Sequence, residues 1–545
     1  MSSLPTADCR LPTAPLKRLV RPETLFFLLT WVVVLLAFRE RGFYDPGALW
    51  HIKVGEIILN EGMPRTDPFS YTFQGQTWVP QQWGAEVLMA LTHRVAGLDA
   101  LLLAFATLIA ALYTLIFRRC LQAGMGPMLA ALLVGVCLVV GAFHYFVRPH
   151  MFTIGFLGWT MICIIDYERG RCSAWRLAGL IPLYVLWTNL HGGVLGGSMS
   201  LGLAVAGWGV LFLWNKWKAG SQAAGMTAQK APDSPIKSWR TAFLLCGIVV
   251  ACLLTPFVNP HGMEMIRIWQ RIVSSKVLPT VIHEHMPLDP SEPLGQAVIG
   301  LGVLYIVLLL GVLPRCPNVS WLVPLVWFVL SFKGIRQGPL FAITAAVAIA
   351  DLWPHTLWHR LLVKHGDGSL ARSPDYSPRP VLLTYLVPAL AVLAAIGLQV
   401  SHTPAPLIGA GWARLDPEFV PVDMNEPLDE YAASVPAGTP VFNDANLGGY
   451  LIYHAPRLKI FMDDRCELYG DDWIKDYSDT LGLPPEELGQ VFERWASNYQ
   501  FDRALVRTNP PELKKPSIER YLLDNPQKWR EVARGKRAVM FERVR

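Results

Sequence analysis

The residues of this chain able to do acid–base chemistry gather in one polar stretch, and those able to hold an anion recur in short motifs further on. Asp45, His51, Asp67 and Glu86 lie within YDPGALWHIKVGEIILNEGMPRTDPFSYTFQGQTWVPQQWGAE, residues 44–86, between two apolar runs. A connection that long is more often functional than a plain link. Downstream, otherwise apolar sequence is interrupted by Arg148-Pro149-His150, Asn189-Leu190-His191-Gly192-Gly193, Asn259-Pro260-His261-Gly262, His283-Glu284-His285 and Lys333-Gly334-Ile335-Arg336-Gln337. A carboxylate within reach of a hydroxyl takes its proton, and a guanidinium grips two phosphate oxygens at once. Two cations as close as Lys333 and Arg336 at the outer end of a helix ask for an anion, and a lipid phosphate suits a guanidinium.

Each of these residues also has a plainer role. Aspartate before proline is a good helix N-cap, which suits Asp45-Pro46 and Asp67-Pro68. His51, about two turns along the same helix, would serve as a hydrogen-bonding residue. Trp78 and Trp83 would anchor at headgroup level, Arg148 would snorkel, and His191-Gly192-Gly193 would make a tight turn. His283, Glu284 and His285 have a spacing that faces one metal ion only in an extended segment. No ligand cluster marks a divalent metal, and the cofactor is left open.

The elements that must position these groups are mostly membrane helices. Hydrophobic residues make up 52% of the 545-residue chain and charged residues 17%, and mean hydropathy is +0.33, the composition of a membrane protein. We expect a polytopic α-helical membrane protein with about eleven transmembrane helices, near 22–38, 98–117, 126–147, 150–166, 177–190, 193–215, 241–258, 295–313, 318–332, 339–353 and 380–400. Residues 1–21 read as a cytoplasmic tail, 22–400 as the membrane domain with a long first outer loop at 39–97, and 401–545 as a soluble α/β domain. Within the loop, Trp50, Val54, Ile57 and Ile58 predict an interfacial helix, and Trp83, Val87, Leu91 and Val95 a second.

Basic residues orient the spans. Arg118 and Arg119, Arg169 to Arg176, Lys216 to Arg240, Arg315 and Arg360 to Arg379 fall in alternate loops, which the positive-inside rule assigns to the cytoplasm. The first loop, the polar motifs and the C-terminal domain then share the opposite face. In that domain TPVFND, LKIFMDD, RALVR and a final hairpin alternate with helix-like segments. Asn443, Asp444, Asp463, Asp464 and Arg465 fall at strand ends, where open sheets gather ligands, although a turn or cap is the plainer fate of Asp444. The nine cysteines form no CxxC pair, no Walker, GxGxxG, HExxH or GxSxG motif occurs, and no segment suits nucleic acid. There is no internal repeat, and low complexity is confined to 219–234.

A charged tail, one span, a long acidic outer loop, about ten further spans and an external α/β domain together resemble the GT-C superfamily of polyprenyl-phosphate-dependent membrane glycosyltransferases. DPGALWHIKVGEIILNEGMPRTDPFSYTFQGQTWV, RPHMFT, NLHGG, NPHG and VFNDANLGGYLIYHAPRLKIFMDDRCELYG are similar to a bacterial group of GT-C-like proteins. The resemblance implies transfer of a hexosyl or pentosyl group from a polyprenyl-phosphate-linked sugar donor to a hydroxyl of a glycan, lipid or protein acceptor. It implies the extracytoplasmic face of a bacterial inner membrane. The acidic residue of the first outer loop is matched by Asp45, which becomes the base or acceptor-orienting group, with Asp67 and His51 as further catalytic candidates. Arg336 becomes the main phosphate clamp, and Arg148, His150, His191, His261, Lys333 and Glu86 complete the substrate-binding candidates. The chain departs from the pattern in reading Asp45-Pro46-Gly47 where related sequences often read DPD, and Gln81-Gln82 where they often read His-Glu. It also lacks WWDYG, so asparagine sequons are not the expected acceptor. The other reading is a non-catalytic membrane protein that binds or transports lipid-linked glycans in envelope polysaccharide assembly, which would need the basic pocket but no carboxylate beside it.

Overall fold

The computed structural model describes residues 21–222, 234–365, 381–508 and 517–544. The tail expected over 1–21, Arg21 excepted, and most of the 219–234 linker lie outside the described residues. Among the described residues eight helices are long and apolar enough to cross a membrane: Trp83–Gln122, Pro127–His144, His150–Glu168, Val194–Ala219, Trp239–Phe257, Pro293–Leu310, Ile335–His355 and Leu382–Val400. The other three expected spans are shorter helices, Pro22–Ala37 and Val319–Ser331 and the 11-residue Leu180–Leu190. Eleven residues reach about 16 Å against a hydrocarbon core of about 30 Å. Apolar composition marked these three segments, while length separates them from the eight.

Helix Gly338–Leu352 forms the axis of the bundle, buried at every residue from Phe341 to Leu352. Its alanines at 342, 345, 346, 348 and 350 let helices Pro127–Gly141, His150–Glu168 and Val323–Ser331 approach closely. Arg336 lies just before its start and Asp351 near its end, so this one element serves both ends of the bundle.

The first outer loop is folded inward. Helix Gly47–Glu61 buries Gly47 to Ile52, Val54 and Gly55, and packs against both Trp83–Gln122 and helix Ala445–His454 of the C-terminal region. The predicted interfacial helix is thus a buried one: its apolar stripe was legible, but a second cover over Ala48, His51 and Gly55 was not. Gly55 has no room for a side chain, because a Cβ there would meet the Glu86 carbonyl. The second predicted helix is the first part of Trp83–Gln122, set off from the span by the non-helical Ala96 and Gly97.

The C-terminal region carries a five-stranded sheet of β1 (Pro440–Asn443), β2 (Lys459–Ile460), β3 (Arg503–Arg507), β4 (Trp529–Arg534) and β5 (Ala538–Arg543), in the order β2-β1-β3-β5-β4. β1 runs parallel to β2 and β3, and β5 antiparallel to β3 and β4. The first loop extends the β2 edge: the Tyr71 and Ile460 N–H groups donate to the Ile460 and Phe69 carbonyls, both at 3.1 Å. Gly449 sits where helix Ala445–His454 meets the Pro46 carbonyl, with no space for a Cβ. Gly449→Ala is therefore expected to destabilise the junction by about 1–3 kcal/mol, the usual cost of overpacking a core. A thermal midpoint equal to that of the wild type would overturn this reading of the contact.

Candidate active site

A cavity of about 530 Å³ lies where the ends of the membrane helices meet the C-terminal region. Breaks between apolar helices supply its polar wall. Arg148 lies between two helices, with Pro149 at the N-cap position of His150–Glu168. His191 ends helix Leu180–Leu190, His283–His285 is a single 3-10 turn, and Arg336 lies in the 3-10 turn that leads into the axial helix. The last two turns are joined by the Ile335 N–H donating to the Met286 carbonyl at 2.9 Å. From the C-terminal side, the segment after β2 contributes Asp464, Cys466 and Glu467.

Arg148 is the hub of the charges. Its guanidinium donates to Asp45 at 2.6 Å and stands 3.8 Å from Asp464. Burial works against its charge, but Asp45, Asp464 and Glu284 together hold it more firmly protonated than usual. Asp464 accepts from the Trp50 indole N–H through Oδ1 at 2.7 Å, leaving Oδ2 toward Arg148. Burial pushes the Asp464 carboxyl up to about 7; Arg148 and the Trp50 bond work downward, Asp45 and Asp463 upward. Such a carboxyl exchanges a proton near neutral pH.

Imidazoles line the same cavity. The Nδ1 of His191 accepts from the Gly193 N–H at 3.0 Å, which leaves the ring proton on Nε2. Burial, then His150, Arg148 and Arg336, drive this ring down to about 3, so it is a neutral donor. Arg336 lies 2.7 Å from the His285 ring, which burial and that guanidinium hold neutral, at about 4. Burial would raise the Glu284 carboxyl, but Arg148, His285 and Arg336 pull it below the usual range. Burial pushes the Cys466 thiol well up, which makes it a poor nucleophile. Among the described residues no group of three or more His, Cys, Asp or Glu side chains is arranged to hold a metal ion.

Of the residues singled out from sequence, Arg148, His150, His191 and Arg336 share the cavity wall. Asp45 lies behind that wall, its two oxygens bound to the Gly47 N–H at 2.8 Å and to Arg148. The bond to Gly47 is the expected cap, with Pro46 in helical conformation after Asp45, and the second oxygen is left for Arg148. Asp67 is fully buried elsewhere: it accepts from Arg465 at 2.7 Å and from the Phe69 and Ser70 N–H groups at 3.1 and 2.9 Å. His51 and Glu86 pair with each other at 3.0 Å, outside the wall, and burial holds the His51 ring neutral. Lys333 is exposed. His261 has a backbone N–H bound to Asn259, and neither it nor Lys333 lines the cavity. The wall also contains Glu284 and His285 of the motif singled out at 283–285, and His144 and Glu467, which the sequence reading did not single out. Asp444 instead ties the sheet together, accepting from the Arg507 N–H at 2.6 Å.

No protein-family model matches the chain, and no curated protein matches it. Among solved structures it is similar to the oligosaccharyltransferase of Archaeoglobus fulgidus in its apo form, at 13% identity over 89% of this chain and 69% of that one, with a TM-score of 0.47. It is similar to ArnT from Cupriavidus metallidurans in the apo state, at 14% identity over 95% and 97% of the two chains, with a TM-score of 0.48. It is similar as well to the arabinofuranosyltransferase AftD from Mycobacteria, at 14% identity over 96% of this chain and 40% of that one, with a TM-score of 0.44. At these identities the likenesses carry no residue role to this chain.

Proposed function

We propose that this protein is an integral-membrane glycosyltransferase that moves a sugar from a polyprenyl-phosphate donor to an acceptor hydroxyl in the cavity between the helix ends and the C-terminal region. The observation that carries the reading is the composition of one wall: two guanidiniums and a neutral imidazole donor for a phosphate, with a carboxyl that titrates near 7 beside them. Ile154, Leu195, Met199, Trp327, Leu330 and Leu340 give the same cavity an apolar side suited to an isoprenoid chain.

In this scheme the acceptor oxygen attacks the anomeric carbon while Asp464 takes its proton, and the bond to the lipid phosphate breaks with its electron pair staying on the phosphate. A phosphate is already a good leaving group, so positive charge serves it better than an acid. Arg336 and Arg148 supply that charge, and the His191 N–H adds a donor. The proton-accepting role expected of Asp45 passes to Asp464, because Asp45 lies behind the wall and both its oxygens are bound. Asp45 then acts by holding Arg148 in place.

Native mass spectrometry of the purified chain tests the donor half. The wild type and Asp464→Asn are expected to retain an isoprenoid phosphate or its sugar adduct. Arg336→Ala is expected to lose it by about one to two orders of magnitude in affinity, the worth of a charge-assisted hydrogen bond. Absence of any isoprenoid phosphate under conditions that keep other lipids bound would overturn the donor reading. Retention without transfer to any hydroxyl would favour a lipid-linked glycan carrier instead.

A further inference from the structure

The helix bundle has a second cavity, of about 780 Å³, at the end away from the candidate active site. Helix His150–Glu168 is 19 residues long and runs from one cavity to the other, a separation of about 28 Å. At the far end four guanidiniums meet two carboxylates. Asp166 is approached by Arg119 at 2.6 Å, Arg171 at 3.0 Å and Arg176 at 3.4 Å. Asp351 accepts from Arg169 at 2.9 Å, from the Trp321 indole N–H at 3.0 Å and from Arg171. The neighbouring carboxylate, Glu168, is taken up by the Trp208 indole N–H at 2.8 Å and by the Val319 and Ser320 N–H groups at 2.9 and 3.0 Å.

Among the described residues, four guanidiniums therefore stand against three carboxylates, Glu168 included, and one positive charge is left over. One guanidinium nitrogen, Nη2 of Arg169, is buried and has no acceptor among the described residues. A buried donor without a partner is costly, and a guanidinium donor is best satisfied by an oxyanion. The network also exceeds what tying helix ends together needs, since each carboxylate already accepts from two or more donors.

We propose that this cavity seats a phosphate-class anion, held by Arg169 and Arg171. The anion is either the headgroup of an anionic phospholipid, which basic pockets between helix ends recognise, or free phosphate. The site stands independently of the transfer reaction.

The test uses the full chain, delipidated in neutral detergent, with three probes: phosphatidylglycerol, phosphatidylcholine and inorganic phosphate. A saturable rise of the thermal midpoint with phosphatidylglycerol and not with phosphatidylcholine identifies a headgroup; the same rise with inorganic phosphate alone identifies the free anion. Arg169→Lys keeps a cation for Asp351 but has no second nitrogen, and is expected to weaken binding at least about tenfold. Should that variant fold poorly, Arg171→Gln, at a side chain 48% exposed, is read in the same way. Arg336→Ala separates the two cavities, since its loss is expected to leave this binding in place. No shift with either anionic probe, or wild-type binding by Arg169→Lys and Arg171→Gln, would overturn the proposal.

Discussion

Asp464→Asn is expected to lower the rate of sugar transfer by about two to four orders of magnitude, the usual worth of a positioned general base, while donor binding stays within a few-fold of wild type. The amide keeps the shape and still accepts from the Trp50 indole, but cannot take the acceptor proton. The pH profile gives the sharper readout. A base works when ionised, and burial has raised this carboxyl to about 7, so wild-type kcat/KM should climb with pH through that value and level off above it. Below it the proton already occupies the oxygen that must receive the acceptor's. The asparagine variant should lose this rising limb along with the rate. A variant that keeps full transfer, or that is slow but retains the same limb, would move the role elsewhere in the wall.

The second large effect concerns the junction that brings Asp464 to the site. Arg465 is fully buried; it donates to Asp463 at 2.7 Å and to Asp67 at 2.7 Å, with its guanidinium carbon 4.7 Å from the Trp78 ring centre. Asp67 belongs to the first outer loop and Arg465 to the segment after β2, 398 residues later. Arg465→Leu would leave two buried carboxylates facing each other without a cation, and is expected to cost about 3–5 kcal/mol. The loss should appear as a lower thermal midpoint and as faster proteolysis between the membrane helices and the sheet. Pairing it with Asp67→Asn and Asp463→Asn should recover much of the loss, because the cost lies in the unpaired charge. An unchanged midpoint in the single variant would show that the apolar contacts of Phe69 and Trp78 hold the junction by themselves.

The two variants report on different steps. Asp464→Asn removes a proton acceptor from an intact cavity, whereas Arg465→Leu loosens the loop that carries Asp464, so it should weaken donor retention and transfer together. Activity lost without change in midpoint therefore belongs to the first mechanism, and activity lost with it to the second.

What the sequence determined by itself was whatever depends on local pattern. Apolar runs gave the helices, since burying or spanning requires them wherever they end up. Strand-like PVFN and RALVR became β1 and β3, and the period of Trp83, Val87, Leu91 and Val95 gave a helix where one stands. The motifs around Arg148, His191 and Arg336 could be placed at one end of the bundle because each interrupts an apolar run, and a polar break between helices has to sit near an end. Partnership was not legible. Asp45 and Asp67 share the same Asp-Pro signature, yet one holds the cavity's arginine and the other is sealed in an ion cluster. Asp464 could be placed at a strand end, but its position in the wall beside Arg148 depends on the C-terminal region docking on helix Gly47–Glu61 at Gly449. Those outcomes are set by ion pairs and burial between segments hundreds of residues apart, and only the tertiary structure decides which charge meets which.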